Sequence, residues 1–226
     1  MRSPRGIQAL VDEHVARWEI ARRSSRAERR LPCVALSRLP GSGGAELGQR
    51  VAEQLDCSFF GIEIVDQIAR EQNIQRELLA GLDEHVRTAI DRYVLDAMRH
   101  PFTEGDYLRH VVRTVTTIAE RGGAVFLGRG AVFILPPERA LRVLVVAPRA
   151  ERIERVAKTN SLTPEQTALR LEQQESERRE FHRHHFRVDP DDAGAYDLTV
   201  NTGTLGMEVA TSLVVDAWRR RFGAGR

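Results

Sequence analysis

The sequence predicts an α/β protein: a mostly parallel sheet of short strands, with helices on both faces. Two patterns lead there. Short apolar runs such as Ala-Val-Phe-Leu at 124–127 alternate with longer stretches whose apolar residues recur at i+3 and i+4. The first apolar run enters a glycine-rich turn and then a helix, the arrangement that places unpaired N–H groups at the ligand-binding end of a parallel sheet. The size, 226 residues with 42% hydrophobic and 29% charged, suits one such domain with an appendage.

Residues 6–28 read as a helix, with Ile7, Leu10, Val11, Val15 and Trp18 on one face, for packing on the domain or on a second copy. Its basic end, 22–30, reads as a solvated linker. This divides the chain into an N-terminal helical extension over 1–30 and a domain over 31–222. Cys33 to Leu36 is a buried strand, Pro40 to Gly44 a turn, and Leu47, Val51 and Leu55 mark the following helix. Cys57 to Phe60 is a short second strand and Ile62 to Glu71 a helix. A helical pattern over 74–99 (Leu78, Leu79, Leu82, Val86, Ile90, Tyr93, Val94) stops at His100-Pro101. Asp106 to Arg121 is a helix ended by Gly122-Gly123. Ala124 to Leu127 is a strand running into Gly128-Arg129-Gly130. Leu141 to Val146 is another, followed by a helix over Ala150 to Lys158. Thr163-Pro164 starts a helix that reaches about His184. Tyr196 to Val200 is the last strand, and Leu205 to Phe222 a closing helix with Val209, Leu213, Val214 and Trp218 inward.

A net charge of +2 makes no electrostatic case for nucleic acid. No apolar run approaches the ~20 residues of a membrane span, and the N-terminus lacks the apolar stretch of a signal peptide. Two cysteines, Cys33 and Cys57, make no disulfide framework. The expectation is a cytoplasmic protein with buried, reduced thiols. His182, His184, His185 and Asp189 do not gather on one helix face, so no metal site is expected from them. Lys158 is the only lysine, so a cation near the glycine turn has to be an arginine.

The turn is a variant. With Gly43 set on the second glycine of G-x-x-x-x-G-K-[ST], Arg38 stands at the first glycine, Gly44 at the lysine and Ala45 at the Ser/Thr. The backbone N–H groups of Gly41, Ser42, Gly43 and Gly44 remain suited to cradle phosphates. Arg38 is placed to curl over the same phosphates. Ser37, Ser42 and Glu46 are the oxygen-bearing residues near the turn, and none stands at the usual Mg²⁺ position.

Together the parts resemble the cytidylate kinase-like family of P-loop nucleoside monophosphate kinases. The resemblance rests on Ser-Arg-Leu-Pro-Gly-Ser-Gly-Gly at 37–44, Phe-Phe-Gly-Ile-Glu-Ile-Val-Asp-Gln-Ile-Ala at 59–69 and Gly-Arg-Gly-Ala at 128–131. It continues through Ala-Pro-Arg-Ala-Glu-Arg-Ile-Glu-Arg at 147–155 and Tyr-Asp-Leu-Thr-Val-Asn-Thr at 196–202. It implies a P-loop NTPase-like five-stranded parallel sheet with a helical lid at about 149–190, and phosphoryl transfer from ATP, with Mg²⁺, to a CMP-like acceptor. It implies nucleotide substrates as partners, and Arg129, with Glu63 and Asp66, at the acceptor. Arg149, Arg152 and Arg155 stand where such kinases begin their lid, with Arg178 and Arg179 on the next helix; Arg152 and Arg178, with Arg38, are the candidates to stabilise the transferred group. The family's usual Arg after Gly-Gly is Ala45 here, and its Phe-Tyr-Asp-Arg/Lys-Glu is Phe59-Phe60-Gly61-Ile62-Glu63.

Three readings follow: a kinase with a lysine-less loop, a non-catalytic nucleotide-binding regulator on the same fold, and a nucleic-acid-binding module supported only by arginine content. The N-terminal helix is the candidate surface for a homodimer.

Overall fold

The computed structural model describes residues 4–23, 31–80, 82–99 and 106–223. Five parallel strands form one sheet in the order β2-β3-β1-β4-β5: β1 (Cys33–Arg38), β2 (Ser58–Phe60), β3 (Ala124–Leu127), β4 (Ala140–Val146) and β5 (Leu198–Asn201). Register pairs Val34 with Val125 and Leu141 across the central β1. This is the P-loop NTPase-like sheet.

Strand alternation sorts the core into two halves. On one face Cys33, Ala35, Ala124 and Phe126 meet α1 (Pro4–Arg23), α3 (Ile62–Arg70), α4 (Gln72–Leu79), α5 (Glu84–Arg99), α6 (Asp106–Arg121) and α7 (Ala131–Ile134). On the other, Val34, Leu36, Val125, Val143 and Val145 meet α2 (Gly44–Leu55) and α10 (Thr202–Phe222). Leu47 and Val51 of α2 are fully buried there, each contributing about 1.5–3 kcal/mol by removal from water. A Cβ on Gly48 would stand 2.4 Å from the Phe59 ring, so glycine there lets α2 sit close to β2. α8 (Arg149–Asn160) and α9 (Pro164–Phe186) form a helical hairpin over the stretch expected to be the lid. Thr163 starts α9 with a full capping box to Gln166.

Three segments differ from the sequence reading. The pattern over 74–99 is two helices, because Ala80 turns extended and ends α4 while Leu82 stays buried between them. The apolar spacing runs unbroken through a non-helical link. In α10, Val209 and Leu213 are exposed, and Ala210, Thr211, Val214, Val215 and Trp218 are buried. A non-helical Gly206 (φ 74°, ψ 164°) breaks the helix before this stretch, and small residues at 210 and 211 turn the inward face by one position. The first helix spans Pro4–Arg23; the basic linker and its end, 24–30, lie outside the described residues. Ile7, Leu10 and Val11 of α1 share a core with Phe60 and Ile118, and buried His14 bridges Ser58 Oγ (3.2 Å) and the Ile118 carbonyl (3.3 Å).

Candidate active site at the carboxyl ends of the strands

The turn after β1 is held from beneath by the neighbouring β4 and by the residue that follows β5. Leu39 N–H and the Ser42 hydroxyl both donate to the Val145 carbonyl, at 3.0 and 3.1 Å. The Thr202 hydroxyl, at the end of β5, donates to the Ser42 carbonyl at 2.6 Å. Gly41 and Gly43 both take left-handed backbone (φ 80° and 78°), which L side chains rarely adopt. Gly43 precedes α2 with no side-chain cap, so the first-turn N–H groups have neither helical nor side-chain acceptors. Such outward-facing backbone donors are the chemistry that suits an anion. The Glu46 carboxylate in the first turn is held by Arg50 at 2.8 Å.

The three oxygens near this turn are occupied. The Ser42 hydroxyl faces β4, Glu46 pairs with Arg50, and Ser37 Oγ accepts from Arg178 Nη2 at 3.1 Å. Among the described residues no group of three or more His, Cys, Asp and Glu side chains could hold a metal ion.

The arginines of the α8–α9 hairpin divide by their contacts. Arg152 is buried, donating to the carbonyls of Ala147 (3.0 Å) and Pro40 (3.1 Å) and pairing with Glu175. It braces the loop against the hairpin. Arg155, one turn on, donates to the Gly41 carbonyl at 3.0 Å, and its Nη1 lies 2.9 Å from where a Cβ on Gly43 would stand. It is the hairpin arginine that lies beside the hollow of the loop, and sequence reasoning ranked Arg152 ahead of it. Only the close approach of α8 to the loop distinguishes them. Arg149, at the start of α8, is exposed. Met207 Cε also closes on Gly43, at 2.8 Å from that Cβ position.

Beside the loop, at the end of β3, Gly128, Arg129 and Gly130 all take positive φ (77°, 50° and 71°). The tight turn aims Arg129 back at α3, where Asp66 receives it in a two-pronged pair, Nε to Oδ1 at 2.5 Å and Nη2 to Oδ2. The Tyr107 hydroxyl of α6 donates to the same Asp66 Oδ1 at 2.7 Å. Burial and that hydrogen bond push the Tyr107 hydroxyl up to about 12, so it stays a donor at neutral pH. The Arg129 guanidinium lies 5.5 Å from the Phe181 ring centre. Burial works against the Arg129 charge, but Asp66 outweighs it and raises the group's proton affinity. Tyr107 read only as core from sequence; its hydroxyl acquires a role because α6 packs on α3.

Arg178 of α9 is buried. It pairs with Asp191 (2.6 Å), donates to the Pro190 carbonyl (2.8 Å), and reaches Ser37. Arg179 lies 3.6 Å from the same Asp191. Arg38 ends β1 with its stem over Gly44, and its Nη1 lies 3.8 Å from the Cβ position of Gly128. Glu63 is exposed at the start of α3, within electrostatic reach of Arg38 and Arg129. The expected residues Gly41, Ser42, Gly43, Gly44, Arg38, Arg129, Asp66, Glu63 and Arg178 thus gather at one end of the sheet, and Arg152 lies behind the loop.

The model of the cytidylate kinase-like family matches residues 33–204. The chain belongs to the cytidylate kinase-like family. This family member is 30% identical over 188 residues to a cytidylate kinase from Aeropyrum pernix, covering 80% of this chain and 96% of that one. It is 27% identical over 192 residues to a cytidylate kinase from Methanopyrus kandleri, covering 80% and 90%. In fold it is similar to an uncharacterized protein from Eubacterium ventriosum, with a TM-score of 0.69 at 17% identity, covering 85% of this chain and all of that one. Among the described residues of the family member, no helix is long and apolar enough to cross a membrane.

Proposed function

We propose that the protein transfers a phosphoryl group from ATP to a nucleoside monophosphate, CMP or a close analogue, through a phosphate loop that has no lysine. The observation that carries the reading is adjacency: an uncapped helix N-terminus over a glycine loop at the end of β1, and an arginine on a glycine-flanked turn at the end of the neighbouring β3. Phosphoryl transfer asks for little beyond positioning and charge neutralisation. The backbone N–H groups of Gly41 and of 43–46 hold the donor phosphates, the Ser42 N–H being taken by the Leu39 carbonyl at 3.1 Å, and Arg155 adds charge beside them. Arg129, kept in place by Asp66 and Tyr107, faces the acceptor, with Glu63 at the entrance. Arg178 supports the transferred group from α9. Arg152 keeps loop and hairpin in register.

The residues fit the phosphates better than they fit the metal. The loop supplies donors to anions, whereas position 45, where a Ser or Thr hydroxyl would meet Mg²⁺, is alanine. Mg²⁺ bound with the nucleotide supplies neutralisation of the donor phosphates, and the chain offers it no dedicated oxygen cage. Nucleotides are the proposed partners. A homodimer through α1 would need that helix's outer side, since Ile7, Leu10, Val11 and His14 are buried in the chain's own core.

Ala45 also favours a second reading, a nucleotide-binding regulator with weak or no turnover. One experiment separates the two. Purified protein is incubated with ATP, Mg²⁺ and each monophosphate in turn while ADP is followed, and ATP binding is measured in parallel. ADP formation that depends on CMP supports the kinase. ATP binding without turnover on any acceptor refutes it and supports the regulator.

A further inference from the structure

We propose that Arg38 is a ligand for the acceptor's phosphate and not a substitute for the donor-side lysine, and that with Arg129 and Arg178 it forms a three-arginine anion site at the carboxyl ends of β1 and β3. The nature of the anion, a phosphate monoester, rests on the phosphoryl-transfer reading; the site itself does not.

The argument starts at Gly44, where the lysine of an ordinary phosphate loop would begin. A Cβ there would stand 2.9 Å from Arg38 Cβ and 3.3 Å from its Cγ and Cδ. Real Cβ atoms do not approach a neighbour's Cβ that closely, so the Arg38 stem and a side chain at 44 exclude one another. A lysine at 44 and the Arg38 stem therefore cannot occupy the loop together. The stem passes over position 44 and delivers the charge elsewhere: Nη1 lies beside Gly128, on the turn that carries Arg129.

Three guanidiniums converge at that end of the sheet. Arg129 is neutralised by Asp66 and Arg178 by Asp191. Arg38, half-buried, has no hydrogen-bond or ion-pair partner among the described residues, and the acid in its field is the exposed Glu63. Arg178 is 9% exposed, yet its Nε is buried without a partner. A guanidinium half-shielded from water and without a partner, as Arg38 is, is costly, and an anion bound beside it removes that cost. A tetrahedral dianion suits planar forks approaching from two strands' ends and from α9. Burial together with Arg178 and Arg129 lowers the proton affinity of Arg38, as expected where positive charge is concentrated without its counterion.

The test uses inorganic phosphate, CMP and ATP, each titrated calorimetrically into the wild-type chain and into Arg38→Met, which keeps the stem over Gly44. Thermal melting checks that the variant folds. Should it not fold, Arg38→Lys takes its place, keeping the charge and losing the fork. The inference expects phosphate and CMP to bind the wild type and to weaken by about 10- to 100-fold in the variant, with ATP affinity within about threefold. Loss of ATP affinity with phosphate and CMP unchanged would put Arg38 on the donor side and overturn the proposal. So would a wild type that binds no phosphate. Arg38-dependent phosphate binding without turnover of any monophosphate sinks the phosphoryl-transfer reading and leaves the anion site standing. Turnover of CMP with a KM indifferent to Arg38→Met does the reverse.

Discussion

The phosphate loop and the cluster around Arg129 lie at the ends of adjacent strands, yet they are made of different materials. The loop is backbone: N–H groups, two left-handed glycines and carbonyls pinned by Ser42 and Thr202. Its donors belong to the main chain, so they do not depend on which side chain stands at 45. The cluster is side chain. Asp66 and Arg129 are 63 positions apart, and Tyr107, Arg178 and Arg38 arrive from three further elements. A cluster of that kind depends on helix packing, and its glycines serve close approach as much as turn geometry.

The largest expected effect tests that dependence. In Gly130→Ala the new Cβ would stand 2.0 Å from Phe186 Cζ at a φ of 71°, so the residue that ends α9 must move. A loss of about 4 kcal/mol in chemical denaturation is expected. Gly206→Ala has open space around it but sits at φ 74°, ψ 164°, a region essentially confined to glycine, and should lose about 2 kcal/mol from backbone strain alone. Equal losses at the two positions would show that Phe186 is not a fixed wall.

Next come the two arginines at the loop. Arg152→Ala leaves Glu175 unpaired in a buried setting and should cost about 3 kcal/mol of stability. Arg155→Ala, whose one hydrogen bond reaches the Gly41 carbonyl, should change stability by less than about 0.5 kcal/mol but weaken ATP binding about tenfold. Denaturation and nucleotide titration on both variants check the division. A reversal of the two outcomes would exchange brace and ligand.

Acid should loosen the protein at two histidines, one near β2 and one on α9. Burial lowers both His14 and His182 to about 4; neutral His182 donates to the Arg178 carbonyl, and neutral His14 bridges Ser58 Oγ and the Ile118 carbonyl. The unfolded chain takes up those protons near pH 6.5, so stability is full above that value and falls as pH drops towards 4. Between pH 6.5 and 5 the loss is about 2 kcal/mol for each histidine. Denaturation midpoints across that range in the wild type and in His182→Gln measure it; the variant should show about half the slope. A small effect is expected from Tyr107→Phe, which removes one donor from Asp66 and leaves the Arg129 pair in place. About 1 kcal/mol of stability is expected to go, read by thermal melting.

The strands, the loop and the helix that follows it were readable from local pattern, since apolar alternation and glycine spacing act within a few residues. Errors fell where a distant contact decides. Val209 and Leu213 matched the helical spacing as well as Val214 and Trp218, and only the fit of Ala210 and Thr211 against α2 selected the inward row. The stretch after Leu79 kept the apolar rhythm of a helix while Ala80 left helical backbone. Arg152 and Arg155 are equivalent in the sequence; one turn of α8 separates a buried brace from a residue beside the loop's hollow.

By itself, then, the sequence determined the family, the parallel sheet and the loop at 39–43, because each is written in contiguous residues whose backbone preferences need no partner. Tertiary structure decided where the charge goes. The stem of Arg38 lies across Gly44, and its guanidinium stands with Arg129 and Arg178 at the end of β3. A side chain's reach is set by what packs against it, and no spacing in the chain encodes that.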